Sequence, residues 1–393
     1  MYICVNRTTV KLAILTDGIF PFVIGGMQKH SFYLAKCLAL QGVEVTLVHC
    51  VTQGKIPSDE DVRKAMELPT DVPLEVIGFK FPKAGWLPGH YVKENYAYSI
   101  EIFQALKERW NSFDFIYAKG FSAWHLINRK KKGMKLPPIG VKFHGYEMFQ
   151  PAPSFRVKME HYLLRGPVKF SNDHADYIFS YGGKISSLVN KEFKMTPNKL
   201  VEIPTGIESS WCLDDLPKEI NDKRTFLFIG RFERRKGVEE LNEVLQSLDA
   251  DMAFDFHFIG PIPPSKHIKD ARITYHGKMM EKEKIQHVME QCDILVTPSH
   301  SEGMPNVIME GMARGLAVIA TDVGTVAAQV GNENGWLIQP TSVDALRNAM
   351  IESLTCAPET LLSKRQGALK KVKDHFTWEE VAKETLLKIE ALV

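Results

Sequence analysis

The chain reads as an α/β protein built from two doubly wound domains, and three observations carry that reading. Its 393 residues exceed one ordinary core and suggest two of nearly 200 residues each. Short apolar runs alternate with helical periodicity through both halves, the pattern of a parallel sheet with crossover helices. The first such run ends at a glycine loop that opens a helix, as ligand-binding α/β domains begin.

Residues 11–16 (K-L-A-I-L-T) form the opening strand, which stops at Asp17–Gly18. A helix is expected over 27–40, ended by Gly42, and the next strand over 43–48. The loop between carries Gly25–Gly26 and is not G-x-G-x-x-G, so a dinucleotide is not implied. Its glycine pair either serves the turn alone or lets a ligand approach the backbone closely. A strand at 74–79 precedes the segment 81–91, F-P-K-A-G-W-L-P-G-H-Y, which is too rich in breakers for regular structure. That segment is either a locally packed surface loop or one that touches acceptor or membrane.

A helix at 99–110, a strand at 115–118 and a helix at 121–128 follow. The last runs into four cations, Arg129 to Lys132, either a solvated helix end or a contact for anionic lipid or substrate. The strand 139–143 delivers His144–Gly145–Tyr146–Glu147 to the carboxyl edge of the sheet, where open α/β sheets bind ligands. A strand at 177–180, a helix at 184–190 and a strand at 199–203 complete the first domain, 1–206. Residues 211–223, acidic and broken by Pro217, read as the linker within the start of the second domain, 207–393.

That domain opens with a strand over 225–230, then Arg231, a charged loop to Lys236–Gly237, and a helix over 238–248. Strands are expected at 254–260, 273–277, 293–297, 317–320 and 334–338, and the remainder is helical. Two D-x-D triplets, Asp59–Asp61 and Asp249–Asp251, are poorly placed for a metal at the sheet's ligand edge: the first lies in a loop after Gly54, the second before a strand.

Composition excludes several classes. Hydrophobic residues make up 45% and charged residues 24%, as in ordinary soluble proteins. The six cysteines, at 4, 37, 50, 212, 292 and 356, form no C-x-x-C pair or Cys/His cluster, which speaks against a metal centre or disulfide framework and fits a reducing compartment. The apolar stretch 12–24 is broken by Asp17, Gly18 and Pro21, and makes neither a signal h-region nor a membrane span. The net charge of +2 conceals an asymmetry: residues 1–206 carry 27 Lys and Arg against 18 Asp and Glu, a net of +9, and residues 207–393 carry 22 against 29, a net of −7. A basic domain suits an anionic acceptor or an acidic membrane surface.

The densest chemistry lies at 301–315, S-E-G-M-P-N-V-I-M-E-G-M-A-R-G. Pro305 suits a helix start and Gly315 a helix end, so Glu302 precedes the helix and Glu310 lies within it. Free N–H groups at that start suit phosphate or sugar hydroxyls. The block resembles the E-x7-E signature of family 4 retaining glycosyltransferases. G-R-x-x-x-x-K-G at 230–237, H-G-x-E at 144–147, the Gly25–Gly26 loop and F-T-W-E at 376–379 resemble further parts of that family, so the likeness spans both domains. Thr205 stands where the family often has Asn.

The resemblance implies a GT-B fold, two Rossmann-like domains facing a central cleft, with a closing helix (376–393) packed back on the first domain. It implies retaining transfer of a sugar from a nucleotide-diphosphate donor, UDP rather than GDP, to a glycan, lipid-linked or small-molecule acceptor. Arg231 and Lys236 would neutralise the diphosphate, Glu302 and His144 engage the transferred sugar, and Glu310 bind the ribose. Gly25, Gly26 and Gly230 would border the donor, Lys278 and Met279 the base, and Met304, Pro305, Asn306 and Val307 the phosphates and sugar hydroxyls. A front-face route, in which the leaving phosphate helps take the acceptor proton, needs no metal and no cofactor. A cytoplasmic enzyme of cell-surface polysaccharide biosynthesis, peripheral to the inner face of the membrane and without a nucleic-acid partner, is the expectation. An epimerase on the same fold and a non-catalytic nucleotide-sugar-binding protein are the alternatives.

Overall fold

The computed structural model describes residues 10–83, 85, 89–150, 155–216 and 223–393. Parts of the aromatic segment at 81–91 and of the linker, including Pro217, lie outside them. The chain forms two units: one of residues 1–180, 185–203 and 381–393, the other of residues 181–184 and 204–380. The first therefore ends at Ile203 and regains the chain at Val381, with Tyr181–Lys184 assigned to the second.

The first unit holds β1 (Lys11–Leu15), α1 (Gly26–Leu40), β2 (Glu44–Val51), α2 (Asp59–Met66), β3 (Leu74–Lys80), α3 (His90–Ala105), β4 (Phe115–Lys119), α4 (Trp124–Lys131), β5 (Ile139–Lys142), α5 (Phe155–His174), β6 (Tyr177–Ser180), α6 (Gly183–Glu192) and β7 (Leu200–Glu202). Its parallel strands lie in the order β3-β2-β1-β4-β5-β6-β7. The strands are apolar on both faces because helices cover both. Ala13, Leu15, Ile116 and Ala118 face Tyr98, Ile102 and Phe103 of α3, and α1 buries Phe32, Leu34, Ala35 and Leu38. Each large apolar side chain so enclosed contributes roughly 1.5–3 kcal/mol.

Two local expectations are corrected here. Asp59 and Asp61 do not sit in a loop: Ser58 and Asp61 form a reciprocal capping box, and the acidic residues line the first turn of α2, where they complement the dipole. Helix α3 starts at His90, well before residue 99, and α5 occupies a stretch where Gly166–Pro167 obscures the helical period. In the basic run Arg129, Lys131 and Lys132 are exposed, while Lys130 is partly buried. Lys130 Nζ donates to Asp176 at 2.6 Å and to Pro137 O at 2.8 Å, while Arg129 lies over Phe103 and Lys131 over Phe170.

The second unit holds β8 (Arg224–Ile229), α7 (Val238–Ser247), β9 (Phe254–Ile259), β10 (Ile273–Gly277), α8 (Lys282–Glu290), β11 (Ile294–Thr297), α9 (Asn306–Ala313), β12 (Ala317–Thr321), α10 (Val326–Gln329), β13 (Gly335–Ile338), α11 (Val343–Thr355) and α12 (Pro358–His375), while α13 (Trp378–Glu390) begins in it and belongs to the first unit from Val381 onward. Its parallel strands lie in the order β10-β9-β8-β11-β12-β13. Alternation along β8 shows the two buried faces. Phe226 and Phe228 pack with α7 and α11, while Leu227 packs with α9 and α12. The order reverses between β1 and β4 in the first unit and between β8 and β11 in the second. A sheet of this topology opens a crevice beyond the carboxyl ends of those strands.

Candidate active site

In the second unit the loops after β8 and β11 leave the sheet side by side at that switch point. Strand β11 is wholly buried and runs into Pro298 and Ser299, of which Ser299 is enclosed. The β8 loop ends in a short turn over Arg234–Lys236 and reverses at Gly237, whose φ of +67° is a left-handed value. A Cβ on Gly237 would stand 2.0 Å from the Pro298 carbonyl oxygen, so only glycine lets the two loops approach this closely. The His300 N–H donates to Arg235 O at 2.7 Å and ties them together.

That approach joins Lys236 to Glu302. The Lys236 Nζ donates to Glu302 Oε1 at 2.5 Å, and the Ser299 hydroxyl donates to the same oxygen at 2.8 Å. Arg235 Nη1 lies 3.7 Å from Oε2. The two side chains are only 14% and 8% exposed, so their attraction is screened less than that of a surface pair.

Glu302 is fixed from behind as well. Gly303 O accepts from the Thr325 N–H at 2.9 Å and its hydroxyl at 3.1 Å, and Gly324, at φ +56°, packs against the Glu302 and Gly303 carbonyls. Pro305 caps α9 rather than opening it, with Asn306 exposed at the first helical position and Val307 half-buried. Met304 Sδ accepts from the Thr205 N–H at 3.3 Å. Glu310 is half-buried and lies one turn on from Asn306 along α9. The N–H groups that open α9 follow directly on the loop carrying Glu302, and such groups can hold hydroxyl and phosphate oxygens.

Other residues singled out from the sequence lie around this core or apart from it. Gly230 ends β8, its N–H donates to Ile259 O at 2.9 Å, and Gly260 packs directly on its carbonyl. Lys278 is exposed after β10, and Met279 packs against the apolar core. Arg231 is not drawn onto Glu302: its Nε is 2.9 Å from Glu233 Oε1 and its side chain is 67% exposed. Glu233, two residues away, is the nearer carboxylate. Ser299 and Thr325 carry no sequence signal of their own, since isolated hydroxyls say nothing until their loops are placed, whereas the turn at 321–324 is expected to come back towards the site and Gly324 does pack on the Glu302 and Gly303 carbonyls.

Gly25, Gly26 and His144 belong to the first unit. Gly25 precedes α1 and Gly26 opens it, with nothing within 4 Å of where a Gly26 Cβ would stand. His144 follows β5, half-buried, its ring 5.5 Å from that of His30 in an edge-on arrangement. Burial, and then the cations Lys119 and Lys142, hold its imidazole well below the ordinary range. A neutral imidazole both donates and accepts a hydrogen bond, as contact with a sugar hydroxyl requires.

Two family models match the chain, Glycosyltransferase Family 4 over residues 24–211 and Glycosyl transferases group 1 over residues 223–356. The chain is a GT-B glycosyltransferase homologue. The lipopolysaccharide outer core galactosyltransferase WaaB has the same fold, with a TM-score of 0.71 at 15% identity over 98% of this chain and 100% of that one. Sucrose-phosphate synthase from Thermosynechococcus elongatus gives 0.69 at 17% over 98% and 99%. The homologue is 34% identical to TuaC of Bacillus subtilis (strain 168), named for teichuronic acid biosynthesis, over 33% of this chain and 32% of that one. It is 26% identical to the N,N'-diacetylbacillosaminyl-diphospho-undecaprenol alpha-1,3-N-acetylgalactosaminyltransferase of Campylobacter jejuni, over 70% and 74%. It spans about a third of TuaC and 58% of the glycosyltransferase MJ1178 of Methanocaldococcus jannaschii.

Proposed function

We propose that this homologue is a retaining, metal-independent glycosyltransferase that moves a hexosyl group from a nucleotide-diphosphate donor, UDP rather than GDP, to a glycan or lipid-linked acceptor of cell-surface polysaccharide biosynthesis. The observation that carries the reading is the enclosed Lys236–Glu302 pair at the head of α9, on the switch point of the second sheet. A diphosphate leaving group needs fixed positive charge, and Lys236, the α9 N-terminus and the exposed Arg231 and Arg235 would supply it where such a group would lie. Glu302, released in part from Lys236 when phosphate arrives, then engages the sugar, and Glu310 takes the ribose hydroxyls. Among the described residues no cluster of three His, Cys, Asp or Glu side chains could hold a metal ion. The retaining course rests on the E-x7-E resemblance, and the acceptor class on the printed names of relatives such as the Campylobacter enzyme.

The test is thermal-shift binding of nucleotide-diphosphate sugars in the presence of EDTA, followed by nuclear magnetic resonance of the product's anomeric configuration. One donor should stabilise the wild type, with the response lost in Lys236→Ala and Glu310→Ala. An inverted product, or a response that EDTA abolishes, would sink the mechanism. Binding unchanged in both variants would sink the site.

A further inference from the structure

The switch point of the first unit holds two buried lysines, Lys119 and Lys142, that the donor reading leaves unused. Lys119 closes β4 and stands in register beside Lys142, which closes β5, and both are enclosed, at 1% and 0% exposure. Lysine is rarely buried unless it has a partner. Lys142 Nζ donates to Ile203 O at 2.9 Å, whereas the buried Lys119 Nζ has no hydrogen-bond partner among the described residues. Asp17 from the end of β1, His30 of α1 and His144 after β5 complete the surroundings of Lys119, and Glu384 and Lys388 of α13 act on Lys142. Asp17 is itself held by Gln28 Nε2 at 3.2 Å and the Thr16 hydroxyl at 3.5 Å.

A buried ammonium with no acceptor is strongly disfavoured, and an anion reaching Lys119 would supply the partner it lacks. Gly120, next after Lys119, is partly exposed at φ +54°, so solvent comes within one residue of the lysine backbone. The flexible four-carbon stem of lysine can turn toward an anion arriving there. We propose that Lys119, backed by Lys142 and flanked by His30 and His144, binds a single oxyanion, a phosphate or a carboxylate, in the first unit. Assigning that oxyanion to the acceptor rests on the glycosyl transfer proposed above, and the net +9 of residues 1–206 favours such an acceptor.

Proton linkage separates this role from a structural one. Burial, and then Lys142, hold the Lys119 amine well below its ordinary range, so an arriving oxyanion draws a proton onto it. Calorimetry on the whole chain, in two buffers of different ionisation enthalpy, would use inorganic phosphate in one arm and glucuronate in the other. Wild type should bind one of them with proton uptake, and the probe that binds names the oxyanion. Lys119→Met should weaken binding roughly 10- to 100-fold and abolish the uptake. Lys119→Arg should bind without uptake, because guanidinium is already charged. The methionine variant removes an unpartnered buried amine and should melt no lower than wild type, which distinguishes lost binding from lost folding. If neither probe binds at millimolar concentration, or Lys119→Met binds as wild type does, the site is refuted. Nucleotide-sugar binding in the same sample separates the two proposals. Sugar nucleotide bound without either oxyanion overturns this one alone, and oxyanion bound without any sugar nucleotide overturns the donor reading and the acceptor assignment with it.

Discussion

At the scale of single residues, the second unit concentrates its electrostatics on Glu302 Oε1, which accepts from both Lys236 and Ser299. Lys236→Met leaves a nearly enclosed carboxylate without its main partner and should destabilise the protein by about 1–3 kcal/mol. Glu302→Gln keeps an acceptor in place and should cost less. A double-mutant cycle in urea should return a coupling of about 1 kcal/mol or more, and a value near zero would show the pair to be incidental. The sequence indicated Lys236 and Glu302 because each sits in a recognisable motif. It had no means of separating Lys236 from Arg231, since which cation meets Glu302 depends on how the β8 loop reverses at Gly237 and on Glu233 capturing the other.

At the scale of elements, backbone clearance decides which glycines are structural. Gly237→Ala would drive a methyl against the Pro298 carbonyl at a left-handed φ, and should lower stability by about 2 kcal/mol or more while loosening Lys236. Gly26→Ala meets open space in the first turn of α1, and should leave the melting temperature unchanged or slightly raised. Should the Gly26 variant lose nucleotide-sugar binding while melting normally, the glycine pair serves a ligand; retained binding would assign it to the turn alone. Helices were legible where one face is evenly apolar, as in α7. They were less so in α2, whose acidic first turn resembles a polar loop, and in α5, where Gly166–Pro167 interrupts the pattern.

For the whole molecule, buried titratable groups set the pH range of stability. Burial pushes His49 down to about 4, and His30 and His144 are also held below the ordinary value of 6.5. Such histidines stay neutral in the fold while the unfolded chain takes up protons. Stability is therefore retained above pH 6.5 and lost as pH falls, with His49 alone accounting for up to about 3 kcal/mol by pH 4. Lys142, pushed down to about 7 mainly by burial, acts in the same direction at higher pH. Between 7 and its unfolded value near 10.5 only the unfolded chain holds that proton, so stability rises with pH. Tyr98, Tyr117 and Tyr146, raised by burial, reverse the trend above about pH 10, where the unfolded chain ionises first. Melting temperature followed from pH 4 to 11 should therefore peak on the alkaline side, about pH 8–10. A maximum below pH 6 would contradict this account.

Alternating apolar strands and helical periods determined by themselves that the chain is two parallel α/β units, because both faces of each sheet must be covered and the composition says so directly. The E-x7-E block likewise put Glu302 ahead of a helix, and it lies in the loop between β11 and α9. Tertiary structure alone decided which side chains meet. Ser299, Arg235 and Lys236 converge on Glu302 only once β8 and β11 are neighbours, and Lys119 stands beside Lys142 only once β4 pairs with β5. Local periodicity encodes burial, but the pairing of strands distant in sequence sets the distances on which charge and hydrogen bonding depend.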